Sequence, residues 1–321
     1  MSKPTGVPAL DPSNHRVFGR TGLRVSPLGF GGAPIGNMKT DGAVVAEILA
    51  MLLDHGVNVI DTAHAYFGSE EAIGAAIGAR RDDYVLVSKC GSKFTHDDLP
   101  PAWTPEYIRA TIDRSLQRLR TDRIDVMLLH SCDLETLQRG EVLDTVLEAR
   151  AAGKVRFAGY SGDNEAVARA AAHPEIAVVQ TSISMCDQRN VDQALPVTTA
   201  NDVGVMAKRP VANGAWKTRE GQYERYLRYA EPYHERFERM GLDLAALREA
   251  CGSDIEWPEI ALRFTLAMPG VHTAIVGTTN PTSVAANLCA VTRGPLPDAA
   301  VEMIRAAYRS ADPDAAWPGL T

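Results

Sequence analysis

The chain alternates eight short apolar runs, rich in β-branched residues, with segments that repeat apolar residues at helical spacing. Most of these runs are apolar on both faces, which is typical of parallel strands covered by helices. The predicted strands occupy residues 26–32, 57–63, 84–89, 124–130, 155–162, 176–184, 203–210 and 272–278. This pattern predicts an α/β protein of the (β/α)8 TIM barrel type, with functional groups at the carboxyl ends of the strands.

A doubly wound parallel sheet is the competing architecture for such an alternation. That fold usually binds a dinucleotide at a GxGxxG turn between its first strand and first helix. The first unit contains "GFGGAPIG", residues 29–36, in which the glycine spacing does not fit that turn. The sequence therefore favours the barrel.

Two segments lie outside the repeating pattern. Residues 14–29, "NHRVFGRTGLRVSPLG", place Thr21-Gly22 between two short alternating runs and predict an N-terminal β-hairpin that closes the bottom of the barrel. Residues 212–258 form an insertion after strand 7, which we interpret as an amphipathic helix interrupted near Pro232; a lid over the site is the alternative. Its aromatic side chains are Trp216, Tyr223, Tyr226, Tyr229 and Tyr233.

Length and charge narrow the class of protein. The 321 residues suit one barrel domain, with residues 1–13 and 312–321 as candidate flexible tails. A net charge of −7 argues against nucleic acid or an anionic membrane as a partner. The N-terminal residues lack the apolar stretch of a secretion signal, so we expect a cytoplasmic location. The 5 cysteines show no CxxC spacing, so we expect neither a metal site nor disulfides.

Four polar residues follow or end consecutive predicted strands. Asp61, Lys89 and His130 fall at the carboxyl ends of strands 2, 3 and 4, and Tyr66 lies in the loop after strand 2. Each residue alone has a structural explanation: a turn cap, an exposed lysine, a packed tyrosine or a core histidine. The ends of parallel strands in a barrel meet at one mouth, so these four side chains should lie close together. Together they make a set that can protonate an oxygen atom.

The chemistry of such a set depends on the lysine. A phenol has a pKa of about 10, too high for easy proton exchange at neutral pH. One ammonium at roughly 4 Å contributes about 4 kcal/mol toward its ionisation before burial is counted. We therefore expect Lys89 to lower the pKa of Tyr66, while Asp61 keeps Lys89 charged and His130 orients a carbonyl oxygen.

The four residues, in "DTAHAYFGSEE", "VLVSKCG" and "DVMLLHSCD", resemble the catalytic tetrad of the aldo-keto reductase superfamily in order and spacing. The likeness extends from "RTGLRVSPLGFGG" through "RFAGYSGDN" to "GTTNPTSVAANL". It implies a barrel that binds NADP(H) across its mouth and reduces a carbonyl or oxidises an alcohol without a metal. Tyr66 would be the general acid, tuned by Lys89 and Asp61, and His130 would position the substrate.

The resemblance also implies cofactor contacts. Ser161 and Gln180 match ligands of the nicotinamide carboxamide, and Gly162 stands where an Asn is usual, which Asp163 or Asn164 could replace. Lys208 occupies the place of an aromatic that stacks on the nicotinamide. Ser283 stands where NADP-preferring relatives often carry an Arg, so NAD(H) is not excluded. The full implied set is Gly32, Ser161, Gly162, Gln180, Lys208, Arg209, Pro210, Gly277, Thr278, Thr279, Ser283 and Asn287.

Several questions stay open at this level. Loops at the mouth provide candidate substrate contacts in Pro34, Trp103, Asp133 and Trp216, but such loops vary independently of the fold. A Schiff-base lyase with Lys89 as nucleophile is one alternative, although it needs a neutral lysine. A cofactor-sensing regulatory subunit, resembling potassium-channel β subunits, is another. The substrate would be a small carbonyl compound or alcohol such as an aldehyde, ketone or sugar.

Overall fold

The structure is a computed structural model, which describes residues 6–93, 98–218, 221 and 227–320. Its helices and strands alternate along most of the chain. The strands are β1 (Arg16–Val17), β2 (Arg24–Val25), β3 (Leu28–Gly31), β4 (Val59–Asp61), β5 (Val85–Cys90), β6 (Ile124–His130), β7 (Val155–Ser161), β8 (Ile176–Ser182), β9 (Gly204–Lys208) and β10 (Thr273–Val276).

The α-helices of the described residues form the outer layer and the connections. They are α1 (Ala33–Asn37), α2 (Gly42–Asp54), α3 (Ser69–Ile77), α4 (Pro105–Leu119), α5 (Leu134–Arg139), α6 (Glu141–Ala151), α7 (Asn164–Ala171), α8 (Arg189–Gln193), α9 (Leu195–Ala200), α10 (Leu227–Met240), α11 (Leu244–Cys251), α12 (Trp257–Ala267), α13 (Pro281–Thr292) and α14 (Asp298–Ala311).

Strands β3 to β10 close into a barrel in which every neighbouring pair is parallel. The predicted (β/α)8 architecture is confirmed, and each predicted strand overlaps an observed one, although β5 extends one residue beyond its predicted range, to Cys90. The register pairs Gly31 with Asp61, His130 with Ser161, and Ser161 with Gln180. Because adjacent strands lie about 5 Å apart, this register gathers the polar side chains of the strand ends at one mouth.

The predicted N-terminal hairpin is present as the antiparallel pair β1 and β2. Gly22 in its turn has a φ of +67°, a left-handed conformation that glycine adopts without strain. Phe18, in the turn, is buried among residues from the amino ends of the barrel strands, including Val59 and Val85. The hairpin therefore covers the barrel at the end opposite to the polar strand ends.

The insertion after the seventh barrel strand contains α10 and α11. The interpretation that the helix is interrupted near Pro232 is wrong, because α10 runs continuously through that proline. A proline removes one backbone hydrogen bond, and the buried side chains of Ala230 and Tyr233 on either side hold the helix on the protein. Tyr223 and Tyr226 lie outside the described residues, and a lid function of the insertion stays a prediction.

Three further findings concern the described part of the chain. None of its helices combines the length and apolar character that crossing a membrane requires. No group of three or more His, Cys, Asp or Glu side chains within these residues is arranged to hold a metal ion. All five cysteines lie within it, and they are free thiols.

Candidate active site

The Lys89 ammonium and the Asp61 carboxylate form a buried ion pair at the barrel mouth. Lys89 Nζ donates to Asp61 Oδ1 at 2.7 Å, to Asp61 Oδ2 at 2.8 Å and to the carbonyl oxygen of Thr62 at 2.8 Å. Neither side chain is more than 5% exposed. Both residues project from neighbouring strands, β4 and β5, so the pairing follows directly from the barrel register.

Tyr66 and His130 complete the cluster above this ion pair. Lys89 Nζ lies 4.8 Å from the centroid of the Tyr66 ring. The rings of Tyr66 and His130 meet edge to face, with centroids 5.6 Å apart and planes at 85°. The structure thus brings together the three residues that the sequence placed at consecutive strand ends and the tyrosine of the loop after the second strand.

Burial and charge set the ionisation of the cluster. Burial alone lowers the pKa of Lys89, but the Asp61 carboxylate and Tyr66 raise it by more, so the pKa of Lys89 ends above its ordinary value. Burial raises the pKa of Asp61, and Lys89 opposes that rise. Burial, followed by the charges of Lys89 and Lys208, holds the pKa of His130 well below its ordinary value. The imidazole is therefore neutral at neutral pH.

The expected fall in the pKa of Tyr66 is wrong in its net direction. Burial raises the pKa of the phenol, and the lowering by Lys89 is the smaller effect. The physical reason is that a partly enclosed mouth removes water from the phenolate, while Lys89 already shares its charge with Asp61. Tyr66 keeps partial solvent exposure, and it carries its proton at neutral pH.

Ser161 and Gln180 lie next to the ion pair. Gln180 Nε2 donates to Asp61 Oδ1 at 2.9 Å, and Ser161 Oγ donates to Gln180 Oε1 at 3.3 Å. Each residue is about 2% exposed. A buried hydroxyl and amide supply both donors and acceptors, which is the set that a carboxamide requires. These two successive hydrogen bonds, from Ser161 to Gln180 and from Gln180 to Asp61, connect both residues to the four-residue cluster.

The segment after β7 contains the predicted cofactor contact Gly162 and the two residues that could replace an Asn there. A Cβ atom at Gly162 would lie 2.5 Å from the Tyr160 ring, so a larger residue does not fit there without movement. Asp163 Oδ1 instead accepts from Thr181 Oγ1, the Ser182 amide and Asn190 Nδ2 at 2.7–2.9 Å. The side chain of the next residue, Asn164, bonds the Gly319 backbone, and a cofactor contact by either residue stays a prediction.

Lys208 and Arg209 bring two cations to the end of β9. Lys208 Nζ lies 2.9 Å from Asp163 Oδ2 and keeps 15% exposure of its side chain. Arg209 donates to Ser182 Oγ at 2.8 Å and to the carbonyl oxygen of Leu320, and its guanidinium lies 4.0 Å from the Tyr229 ring centroid. The next residue along, Pro210, is buried and its carbonyl oxygen accepts from Thr265.

The loop between β10 and α13, residues 277–280, lies at the mouth next to the end of β9, because β9 and β10 are neighbouring strands. A Cβ atom at Gly277 would lie 2.7 Å from the Pro34 ring, so this glycine permits close packing against α1. Asn280 caps α13 by accepting from the Thr282 amide at 2.9 Å. The free amides at a helix N-terminus favour anions. Thr278 and Thr279 precede this terminus, and Ser283 and Asn287 lie on α13.

Gly32 and the predicted substrate contacts differ in how tightly they are packed and how exposed they are. A Cβ atom at Gly32 would lie 2.6 Å from Ser69 Oγ, so that position is tightly packed. Trp103 has a φ of +62° and lies against Gly91 just beyond β5. Asp133 is exposed and caps α5 by accepting from the Thr136 amide at 2.7 Å. Trp216 is partly buried after β9.

Sequence reasoning missed several buried polar groups. Glu70 is fully buried between α3 and β5, whereas the adjacent Glu71 is half exposed. Asp187 Oδ2 accepts from Tyr233 and from the amide of Leu320. Two adjacent glutamates look alike in a sequence, so only a pattern of helix faces could have indicated which one is buried.

Comparison with known proteins agrees with this architecture. The sequence model of the aldo/keto reductase family matches residues 27–309. L-galactose dehydrogenase of Arabidopsis thaliana is 29% identical over 86% of this chain and 88% of that protein. D-threo-aldose 1-dehydrogenase of a Pseudomonas species is 27% identical over 83% of this chain and 89% of that protein.

A solved structure supports the same assignment. The holo form of an aldo-keto reductase from Bacillus halodurans superposes with a TM-score of 0.76 at 28% identity, covering 92% of this chain and 96% of that one. The family model spans most of the chain, whose eight parallel strands close into a barrel. The chain therefore belongs to the aldo-keto reductase family of oxidoreductases, whose members use nicotinamide cofactors and act on small carbonyl or sugar substrates.

Proposed function

We propose that the protein transfers a hydride between NAD(P)(H) and the carbonyl carbon of a small aldehyde, ketone or sugar, with Tyr66 as the general acid or base. The single observation that carries this proposal is the cluster of Lys89 with Tyr66 and His130 above the Asp61 ion pair. In the reducing direction the carbonyl carbon gains the hydride and its oxygen gains the phenolic proton. In the oxidising direction both transfers reverse.

Each residue of the cluster has a separate task in this proposal. Tyr66 is protonated at neutral pH, as a proton donor must be, and the Lys89 ammonium stabilises the phenolate that forms when the proton leaves. Asp61 keeps that ammonium charged in its buried position. His130, neutral because its pKa is depressed, donates one hydrogen bond to the substrate oxygen.

The residues around the cluster fit a nicotinamide cofactor. Ser161 and Gln180 would hold the carboxamide, since their buried hydroxyl and amide lie beside Asp61. When bound, the reduced nicotinamide supplies the hydride. Lys208 stands where relatives carry a stacking aromatic, so packing of the ring would rely on other contacts. The amino end of α13 would receive the phosphate of the adenosine half.

Ser283 bears on the choice between the two cofactors. NADP(H) is the default that the family resemblance implies. A guanidinium that could grip a 2′-phosphate by paired hydrogen bonds is missing at position 283. We therefore propose that NADPH is preferred over NADH by less than about tenfold. A fluorescence titration of the protein with each reduced cofactor measures this ratio directly.

The substrate class follows from the relatives. Both named relatives are, by name, dehydrogenases of sugars, and a mouth lined by polar side chains suits a hydroxylated substrate. We propose an aldose or a similar small hydroxy aldehyde as substrate. A panel of aldoses and simple aldehydes, with each cofactor in both directions, identifies the class.

The Tyr66→Phe variant tests the proposed proton donor. The ring remains but the proton is lost, so kcat should fall by about 10²- to 10⁴-fold with little change in the Kd of the cofactor. Steady-state kinetics and cofactor fluorescence measure the two quantities. A variant with the kcat of the wild type would reject Tyr66 as the acid.

A further inference from the structure

The loop that carries Tyr66, residues 62–69, has few backbone ties to the barrel. The amide of Thr62 donates to the Val87 carbonyl oxygen at 2.8 Å, and the amide of His64 donates to that of Lys89 at 3.1 Å. Beyond His64 the loop turns on itself, with the Tyr66 amide bonded to the Ala63 carbonyl oxygen at 3.0 Å. The place of the phenol therefore depends on what holds the far end of the loop.

Glu70 holds that far end from inside the protein. It lies in the first turn of α3, directly after the loop, and is 0% exposed. Its Oε1 accepts from Ser88 Oγ at 2.8 Å. Ser88 directly precedes Lys89 on β5. A fully buried carboxylate is costly for the fold unless it is well paired. Here the carboxylate connects the end of the Tyr66 loop to the strand that carries the ammonium.

Arg118 of α4 contacts both ends of the same loop. Its Nη1 lies 3.5 Å from Glu70 Oε2 and 3.4 Å from the carbonyl oxygen of His64, two residues before Tyr66. Its Nε lies 2.9 Å from Glu71 Oε1. The helices can approach this closely because Gly74 of α3 has no side chain: a Cβ atom there would lie 2.3 Å from the Arg118 carbonyl oxygen. One guanidinium thus spans the loop from outside the barrel.

We propose that Glu70 and Arg118 are positioning residues for Tyr66, which set the distance between its hydroxyl and Lys89 without touching the substrate. The inference rests on the proposed function, since it matters only if Tyr66 exchanges a proton. Glu70 ties the loop to β5 through Ser88, and Arg118 ties the loop's two ends together. Loss of either contact lets the phenol move away from the ammonium, and misplacement by about 1 Å can cost about 10²-fold in rate.

A purely structural role gives different results. If the network only stabilises the packing of α3 and α4, its loss lowers the melting temperature and leaves kcat per folded molecule and the pKa of Tyr66 unchanged. If it positions Tyr66, kcat falls at constant cofactor affinity, and the pKa of Tyr66 shifts, because both its distance from the ammonium and its burial change. Measurements of kcat and of the pKa of Tyr66 therefore distinguish the structural role from the positioning role.

The experiment compares Glu70→Gln, Ser88→Ala, Arg118→Met and Arg118→Lys with Glu71→Gln as matched control. Glu71 contacts the same guanidinium but is half exposed, whereas Glu70 is fully buried. We expect kcat to fall about 10- to 100-fold for Glu70→Gln and Arg118→Met, less for Ser88→Ala and Arg118→Lys, and less than twofold for Glu71→Gln. The cofactor Kd should stay within about twofold in all of them.

A second measurement does not depend on turnover. Tyrosinate absorbance is titrated in each variant, with the Tyr66→Phe protein subtracted, to give the pKa of Tyr66. Unchanged kcat and unchanged Tyr66 pKa in both Glu70→Gln and Arg118→Met would overturn the inference; if the first does not fold, the Arg118 pair decides. Wild-type kcat in Tyr66→Phe would instead reject the proposed function, and the titration would still measure the positioning effect.

Discussion

Two buried lysine–aspartate pairs lie at the mouth of the barrel, and they differ in what surrounds them. Lys89 contacts Asp61 at 2.7 Å on β4 and β5, and Lys208 contacts Asp163 at 2.9 Å across the ends of β7 and β9. The residue types are identical and the distances similar. The neighbours of each carboxylate and each ammonium decide what the pair can do.

The Asp163 carboxylate has more donors than the Asp61 carboxylate. Besides its lysine, Asp163 accepts from two side chains and one backbone amide, and with Lys208 and Arg209 nearby its pKa is lowered despite burial. Asp61 accepts from Lys89 and from one amide of Gln180, and burial raises its pKa. The Asp163 carboxylate is therefore the better satisfied of the two.

The ammonium groups differ in the same way. The pKa of Lys89 is raised above its ordinary value, whereas burial and the nearby charge of Arg209 lower the pKa of Lys208 despite Asp163. Lys89 also lies 4.8 Å from the ring of Tyr66. The comparison shows that one ion pair directs its positive charge at a proton donor, while the other crosslinks the segment after β7 to β9.

The largest expected difference between the two pairs is in catalytic rate. Lys89→Met removes the charge that stabilises the phenolate, so kcat should fall by about 10³-fold. The same substitution at the second pair, Lys208→Met, should lower kcat at saturating cofactor by less than about tenfold. Steady-state kinetics of both variants measure the contrast. Equal losses of kcat in the two variants would show that Lys89 and Lys208 contribute equally to catalysis.

The second difference is in stability. Asp163→Ala removes an acceptor of four donors and leaves Lys208 without its buried counterion, so the free energy of unfolding should fall by about 3 kcal/mol. Urea denaturation measures it. The double variant with Lys208→Met should recover part of the loss, because it removes the unpaired charge. A loss below about 1 kcal/mol would mean that this pair does not crosslink the strand ends.

The smallest effect concerns a third carboxylate beside the second pair. Burial, followed by the charge of Asp163, raises the pKa of Asp187 to about 7 from 3.8. A raised folded-state pKa gives stability that is present below the unfolded pKa and is lost as pH rises toward 7. Asp187→Asn removes this dependence, so between about pH 5 and 7 the variant should gain about 2 kcal/mol relative to wild type. Thermal unfolding across this range tests it, and a constant difference would contradict the raised pKa.

Much of the barrel could be predicted from the chain because its signals are local. Each apolar run such as 124–130 coincides with a strand, and a strand end in a parallel barrel necessarily faces the mouth. Asp61, Lys89 and His130 could therefore be placed together from their positions alone. The predicted interruption at Pro232 is wrong because a proline weakens a helix only locally, whereas the packing of the buried Tyr233 decides whether the helix continues.

The site's electrostatics could not be predicted in the same way. The net rise in the pKa of Tyr66 depends on how much water the folded mouth removes, which is a property of the whole enclosure. Glu70 and Glu71 are adjacent in sequence, yet one is buried against Ser88 and the other is half exposed.

The sequence by itself determined the order of the strands, the side of the barrel that carries the polar groups and the identity of the four clustered residues, because periodicity and chain order act over short distances. The tertiary structure decided which carboxylates are buried, how Gln180 reaches Asp61 across 119 positions, and how Arg118 reaches His64 across 54. Those contacts depend on the closure of the barrel and the packing of helices around it, and burial and mutual charge exist only once distant segments have met.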